Sequence, residues 1–171
     1  MTRRRRSSEH GGTSLVEFTL VGIPMIFLMI SVFEISRGMW IYHTLASAVK
    51  AGTRYTIVHG QNCSYAPNTC TVTIGQIATQ IQGAGPGLMP DQLTLTFTPA
   101  NGSATTETLT AALADATVWP SNTANWVGMD VAISASYPFS SIISMFWPGA
   151  TSISPFTTVN FPAASREKIQ F

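Results

Sequence analysis

Charge is what this chain has least of. Only 10% of its 171 residues are Asp, Glu, Lys or Arg, against roughly 25% in soluble domains. What charge there is lies unevenly. Arg3, Arg4, Arg5 and Arg6 stand near the start, opposed there only by Glu9, which leaves five basic and seven acidic residues beyond position 12. No basic patch survives in that remainder, which argues against nucleic-acid binding. The arginine run is open to two readings, a nucleic-acid or import patch or a topology signal, and the apolar segment beside it favours the second. Cysteine is as scarce. Cys63 and Cys70 are the whole complement, with six residues between them in the polar stretch CSYAPNTC. That pair lacks the further ligands of a zinc site and is no CxxC, so it reads as a structural disulfide of an oxidising compartment. The three histidines, His10, His43 and His59, and the aspartates Asp91, Asp115 and Asp130 are scattered. No catalytic or metal-binding constellation forms, so neither an enzyme nor a cofactor is expected. The glycine-rich GAGPG at 83–87 lacks the preceding strand and the Lys-Ser/Thr of a phosphate cradle.

What the chain does have is a long apolar run. Sixteen uncharged residues separate Glu17 from Glu34. From Leu15 to Phe33, with Glu17 tolerated, the run spans about 28 Å as a helix, close to the roughly 30 Å of a bilayer's hydrocarbon core. Arginines before the run and few basic residues just after it orient the N-terminus to the cytoplasm and export the remainder. A carboxylate inside such a span is costly, and its presence is a functional hypothesis. Gly22 and Pro24 lie midway, where a proline removes a backbone hydrogen bond and kinks a helix.

Three readings fit this N-terminus. A cleaved secretory signal with its site at Ala46-Ser47-Ala48 is separated from that site by Glu34, Arg37, Trp40 and Tyr42. A plain uncleaved anchor leaves Glu17 and the glycine pair Gly11-Gly12 unexplained. A signal cut on the cytoplasmic side, before the apolar run, accounts for all of them. Here Gly12-Thr13-Ser14-Leu15-Val16-Glu17-Phe18 resembles the processing site of type IV-like pilins. More narrowly, GTSLVEFTLVGIPMIFLMI and the following FEISRGMWIYHTLASAVKAGTRYTIV resemble the TadE-like minor pilins of the tight-adherence (Tad/Flp) pilus. The likeness is strong over residues 11–58 and only compositional beyond, apart from the closing SREKI.

The resemblance implies cleavage by a prepilin peptidase, a membrane aspartyl protease, after Gly12. That makes Thr13 the new N-terminus and Glu17 the fifth residue; a cut after Gly11 would put Glu17 sixth. It also implies that Pro24 occupies the family's mid-span proline. One helical turn from the new amine, Glu17 can pair with its own amine or with a neighbour's in a fibre, which offsets the cost of burying either charge. The plainer reading has Glu17 snorkelling to the cytoplasmic interface, where it also suits the helix dipole. Ser14 and Glu17 form a capping-box pattern compatible with both.

Beyond Glu34 the helical pattern continues. Ile35, Met39, Tyr42, Ala46, Val49 and Thr53 form one stripe suited to packing on a sheet or a partner helix, and His59-Gly60 marks the stop. Gly38, Ala46, Ala48, Ala51 and Gly52 allow close approach, and Trp40 and Tyr42 suit the outer membrane–water interface. Residues 74–82 read as a short helix with Ile74, Ile77, Ala78 and Ile81 on one face. Leu93, Leu95 and Phe97 alternate with threonines as one strand. Val127, Met129, Val131, Ile133, Ala135 and Tyr137 mark a second strand, and Thr157, Val159 and Phe161 a third that closes near Pro162. The stretch 101–125 reads as loop with one short helix at 106–116. Ile142, Ile143, Met145, Phe146 and Trp147 form an apolar cluster, either core or a contact patch for a neighbouring subunit.

The expectation is an α+β chain in three parts. Residues 1–12 are a cytoplasmic leader, 13–59 a long pilin-like helix with its transmembrane part at about 15–34, and 60–171 an exported head with a small antiparallel sheet of three or four strands. The implied function is that of a minor pilin in the bacterial inner membrane, acting in assembly initiation, tip capping or adhesion. The implied partners are the prepilin peptidase, other minor and major pilins, and the assembly platform of the inner membrane. The alternative is a single-pass, membrane-anchored binding protein unrelated to pili.

Overall fold

A computed structural model describes residues 11–63, 70–142 and 158–170, with side chains from Ser14 onward. Helix α1, Gly11–Ile57, runs without interruption through Gly22 and Pro24. At 1.5 Å per residue its 47 residues extend about 70 Å. The helix stops two residues before His59, and its last carbonyls find partners outside the helical ladder. His59 Nδ1–H donates to the Tyr55 carbonyl at 2.7 Å, and the Gln170 amide donates to the Ile57 carbonyl at 3.0 Å. Groups orphaned by the helix end are thus satisfied by a turn and by the far end of the chain.

The upper part of α1 carries the head. Helix α2, Ile74–Ala84, lies against it and buries Ile74, Ile77, Ala78 and Ile81, the face expected from the sequence. Thr73 and Gln76 close a reciprocal capping box at its start. Contact between α1 and α2 is close at Gly52, where an added Cβ would fall 2.6 Å from Ile81 Cγ1.

The sheet has four antiparallel strands in the order β2-β1-β3-β4. They are β1 Thr94–Thr98, β2 Thr105–Thr108, β3 Asp130–Phe139 and β4 Val159–Lys168. Helix α3, Leu109–Ala114, follows β2 directly, with Thr108 as its N-cap. Leu95 and Phe97 of β1 and Val131, Ile133, Ala135 and Tyr137 of β3 are buried, and meet Leu45, Val49 and the apolar face of α2 in one core. Alternate residues, among them Thr94, Thr96, Ser134, Ser136 and Ala164, face away from the core, so the outer face is small and polar. This period-2 division is what a one-sided sheet requires.

Several expectations need correcting. The stretch 106–116 is divided: its first residues finish the unforeseen strand β2, and only 109–114 are helical. The second strand starts later than expected, since Val127 is half exposed in a turn and β3 begins at Asp130. The third does not close at Pro162 but continues to Lys168. Pro162 is tolerated because β4 is an edge strand, with one side free of ladder hydrogen bonds. The largest correction concerns α1. Of the expected stripe Val49 and Thr53 are buried, but Ile35, Met39 and Tyr42 are exposed by 64%, 57% and 47%, Tyr42 touching the sheet only at the edge of Phe161. The buried stripe is rotated by about one residue and comprises Glu34, Gly38, Ile41, Leu45, Ala48, Val49, Gly52, Thr53 and Thr56. Aliphatic residues of this stripe enter the core, and its glycines let the head approach the helix closely. At Gly38 an added Cβ would touch the rings of Phe161 and Phe139 at 3.6 and 3.7 Å.

Candidate functional site

Two regions of α1 concentrate the unusual chemistry. The first is its start. Gly12 and Thr13 lie in the opening turn of the helix. Ser14 to Phe33 project almost wholly into open space, and one helix here is long and apolar enough to cross a membrane. Glu17 is exposed among these residues and has no hydrogen-bond or ion-pair partner among the described residues. Thr19 turns its hydroxyl onto the helix, donating to the carbonyls of Leu15 and Val16 at 3.1 and 3.0 Å. Ser31 and Ser36 do the same to Phe27 and Val32 at 2.8 Å. The hydroxyls of Thr19, Ser31 and Ser36 therefore each have an internal acceptor, the condition for lying in an apolar medium.

The second region is the junction of helix and head. Glu34 is only 6% exposed. Its Oε1 accepts from the Arg37 guanidinium at 3.4 Å, and its Oε2 accepts from the backbone N–H of Ile142 at 3.2 Å. Arg37 in turn lies 4.9 Å from the centroid of the Phe139 ring, which stacks on Phe161 with centroids 5.1 Å apart. Tyr42 meets Phe161 edge-on at 6.3 Å. A buried carboxylate is stable only when its charge and lone pairs are met; Glu34 is met from both sides, and in being met it ties the chain after β3 to the helix. Beside it, Met29, Ile30 and Phe33 with Ile142 and Glu34 itself line a largely apolar hollow. From sequence Glu34 was only the end of the uncharged run. An acidic residue with an arginine three positions on was the available signal, since that spacing puts both on one helix face.

Of the apolar cluster after β3 only Ile142 is described, half exposed beside Glu34; Ile143, Met145, Phe146 and Trp147 lie outside the described residues. Cys63 and Cys70 are joined as a disulfide with their Cα atoms 5.1 Å apart, and the Asn125 side-chain amide donates to the Cys70 carbonyl at 3.4 Å. The bridge sits beyond the end of α1, at the opposite pole of the head from Glu34. Among the described residues no group of three or more His, Cys, Asp and Glu could hold a metal ion.

In the head two carboxylates are perturbed. Glu107, on β2, is raised above the usual carboxylate range, first by burial and then by the neighbouring charge of Asp115. Asp115 is lowered, chiefly by its hydrogen bonds from Thr117, whose backbone N–H reaches it at 2.8 Å. Neither lies in a cluster that would make it catalytic.

A long helix, apolar and bare in its lower half and packed on a small α+β head in its upper half, defines a class of protein with one candidate membrane span at the N-terminus. Within that class, residues 12–54 match the family described as TadE-like protein, so the anchor segment is TadE-like. That match covers the glycine, Glu17, the apolar run and the helix that carries the head, and it supports a protein associated with the Tad pilus. No curated protein and no solved structure shows significant similarity to the chain.

Proposed function

We propose that the chain is a minor pilin of a Tad/Flp-type pilus. Prepilin peptidase cleaves it between Gly12 and Thr13, it is held in the inner membrane by the lower half of α1 with its N-terminus cytoplasmic, and it acts in assembly initiation, tip capping or adhesion. The observation that carries this reading is the TadE-like match over residues 12–54, which takes in the cleavage glycine and Glu17 in the same stretch. The size of the head supports the minor class, because a major pilin of such a system is by resemblance little more than the helix. Gly12 and Thr13 lie in the first helical turn, so cleavage requires that turn to unwind; glycine makes this easy, since it lacks a Cβ and holds helix poorly. Once the bond is cut, Glu17 stands one turn from the amine of Thr13 and can pair with it or with that of a neighbouring subunit. The role is structural, with no chemistry performed by this chain. Deletion of the gene tests the reading: surface pili should be lost or strongly reduced and return on complementation. Normal piliation in the deletion strain would instead favour a membrane-anchored binding protein unrelated to pili.

A further inference from the structure

One apolar stripe runs unbroken along the exposed side of α1: Leu15, Phe18, Val21, Met25, Leu28, Val32, Ile35, Met39 and Tyr42, each exposed by 47% or more. The stripe does not stop where the uncharged run stops. From Leu15 to Tyr42 it covers 28 residues, or about 42 Å, which exceeds the hydrocarbon core but matches the roughly 40–45 Å of core plus both headgroup layers. Past Tyr42 the same side of the helix turns polar with His43, Ser47, Lys50 and Arg54. Trp40 and Tyr42, half exposed at the changeover, are the residue types that settle among lipid headgroups.

The head reaches down to the same level. Phe139, at the end of β3, packs at Gly38, and Val159 is its register partner on β4. The loop after α2 comes down beside the Trp40 ring, which an added Cβ on Gly87 would meet at 2.7 Å. Exposed on this lower rim are Met89, Ile142 and Val159, with Ile142 bonded through its N–H to Glu34. We propose that the anchored chain sits deeper in the bilayer than its uncharged run implies, with this lower rim immersed in the outer headgroup layer and lipid as its partner. This rests on the membrane-anchored reading given above. It explains why Glu34 is buried and doubly satisfied, since at that depth it lies just inside the hydrocarbon boundary, where an uncovered carboxylate is costly. Arg37 supplies one of the two partners of Glu34 and lies against the Phe139 ring, so its charge is shielded by the pair and by the ring. The hollow lined by Met29, Ile30, Phe33 and Ile142, with the paired Glu34 at its edge, then receives the upper part of an acyl chain. The rim also fixes the orientation of the head, which cannot lift away without breaking the bond from Ile142 to Glu34.

The test uses the full chain in phosphatidylcholine–phosphatidylglycerol vesicles, with Trp126→Phe and Trp147→Phe. Trp40 then reports beside Trp119, which is buried, and Trp40→Phe in the same background gives the blank. Unshifted Trp119 emission in that blank certifies the fold. Lipids brominated near the headgroup end of their acyl chains should quench the Trp40 emission, and aqueous iodide should not. Trp40 quenched by iodide and untouched by bromolipid would overturn the proposal. So would shielding from both that disappears on dilution with excess lipid, because a second copy would then be the partner. Carbonate extraction separates the two levels of failure: an extractable chain refutes the anchor itself, whereas a retained chain with iodide-accessible Trp40 refutes only the depth.

Discussion

At the scale of single residues, the two glutamates of α1 are opposites. Glu34 is covered, paired and bonded to the head; Glu17 is exposed and has no partner among the described residues. Charge without a partner at the start of an apolar helix is best explained by a partner supplied later, namely the amine that cleavage creates. Glu17→Ala should therefore leave processing intact and reduce piliation, as measured by immunoblot for the mature chain and electron microscopy of the same cells. Unchanged piliation would mean that Glu17 only snorkels to the interface. Glu107 offers a prediction in the head. Its carboxyl is raised in the folded state, so the folded state holds the proton more tightly than the unfolded state does. Stability then falls as pH rises from the unfolded carboxylate range through the raised value. Glu107→Gln should accordingly raise the melting temperature of the head at neutral pH, with the gain shrinking as pH falls through that window. A gain that is independent of pH would show that burial of charge is not the cause.

At the scale of elements, what was legible followed from periodicity. The face of α2 and the alternation of Leu95 and Phe97, or of Val131, Ile133, Ala135 and Tyr137, were readable because burial there coincides with apolar side chains. Strand β2, Thr105–Thr108, was not readable, since its residues TTET carry no apolar alternation and it is held by pairing to β1 alone. The phase of α1 was misread for a related reason. Hydrophobicity pointed to Ile35, Met39 and Tyr42, but the side that faces the head is chosen by close approach, to the sheet at Gly38 and to α2 at Gly52. At the candidate site, the glycine, Glu17 and Pro24 were visible as residues, whereas the bond from Glu34 to Ile142 spans 108 positions and has no local signature. The close-approach account makes its own prediction. Gly52→Leu forces side-chain atoms into the fully buried Ile81 and should destabilise the head by about 1–3 kcal/mol, seen as a lower urea midpoint. Leu on the opposite face, at exposed Ser47, should cost far less. Equal effects at the two positions would refute the packing of α2 on α1.

At the scale of the whole molecule, one helix serves two solvents. Its lower half exposes apolar side chains on every side, and its upper half buries a mixed stripe of small, polar and aliphatic residues against the head. The disulfide between Cys63 and Cys70 lies at the far pole of that head; closing so short a loop is worth on the order of 2–3 kcal/mol. Such a division makes sense for a subunit that waits in the membrane and then leaves it, because a head rigidly fixed to α1 moves with the helix as one body. In the proposed reading the cut turns a membrane anchor into a pilus subunit, and it is therefore the central claim. Intact-mass measurement of the chain purified from its own membranes, with and without the prepilin peptidase, tests it most directly. The account predicts a mature chain beginning at Thr13 when the peptidase is present and the uncut chain when it is absent. A chain still carrying residues 1–12 in cells with an active peptidase would contradict it.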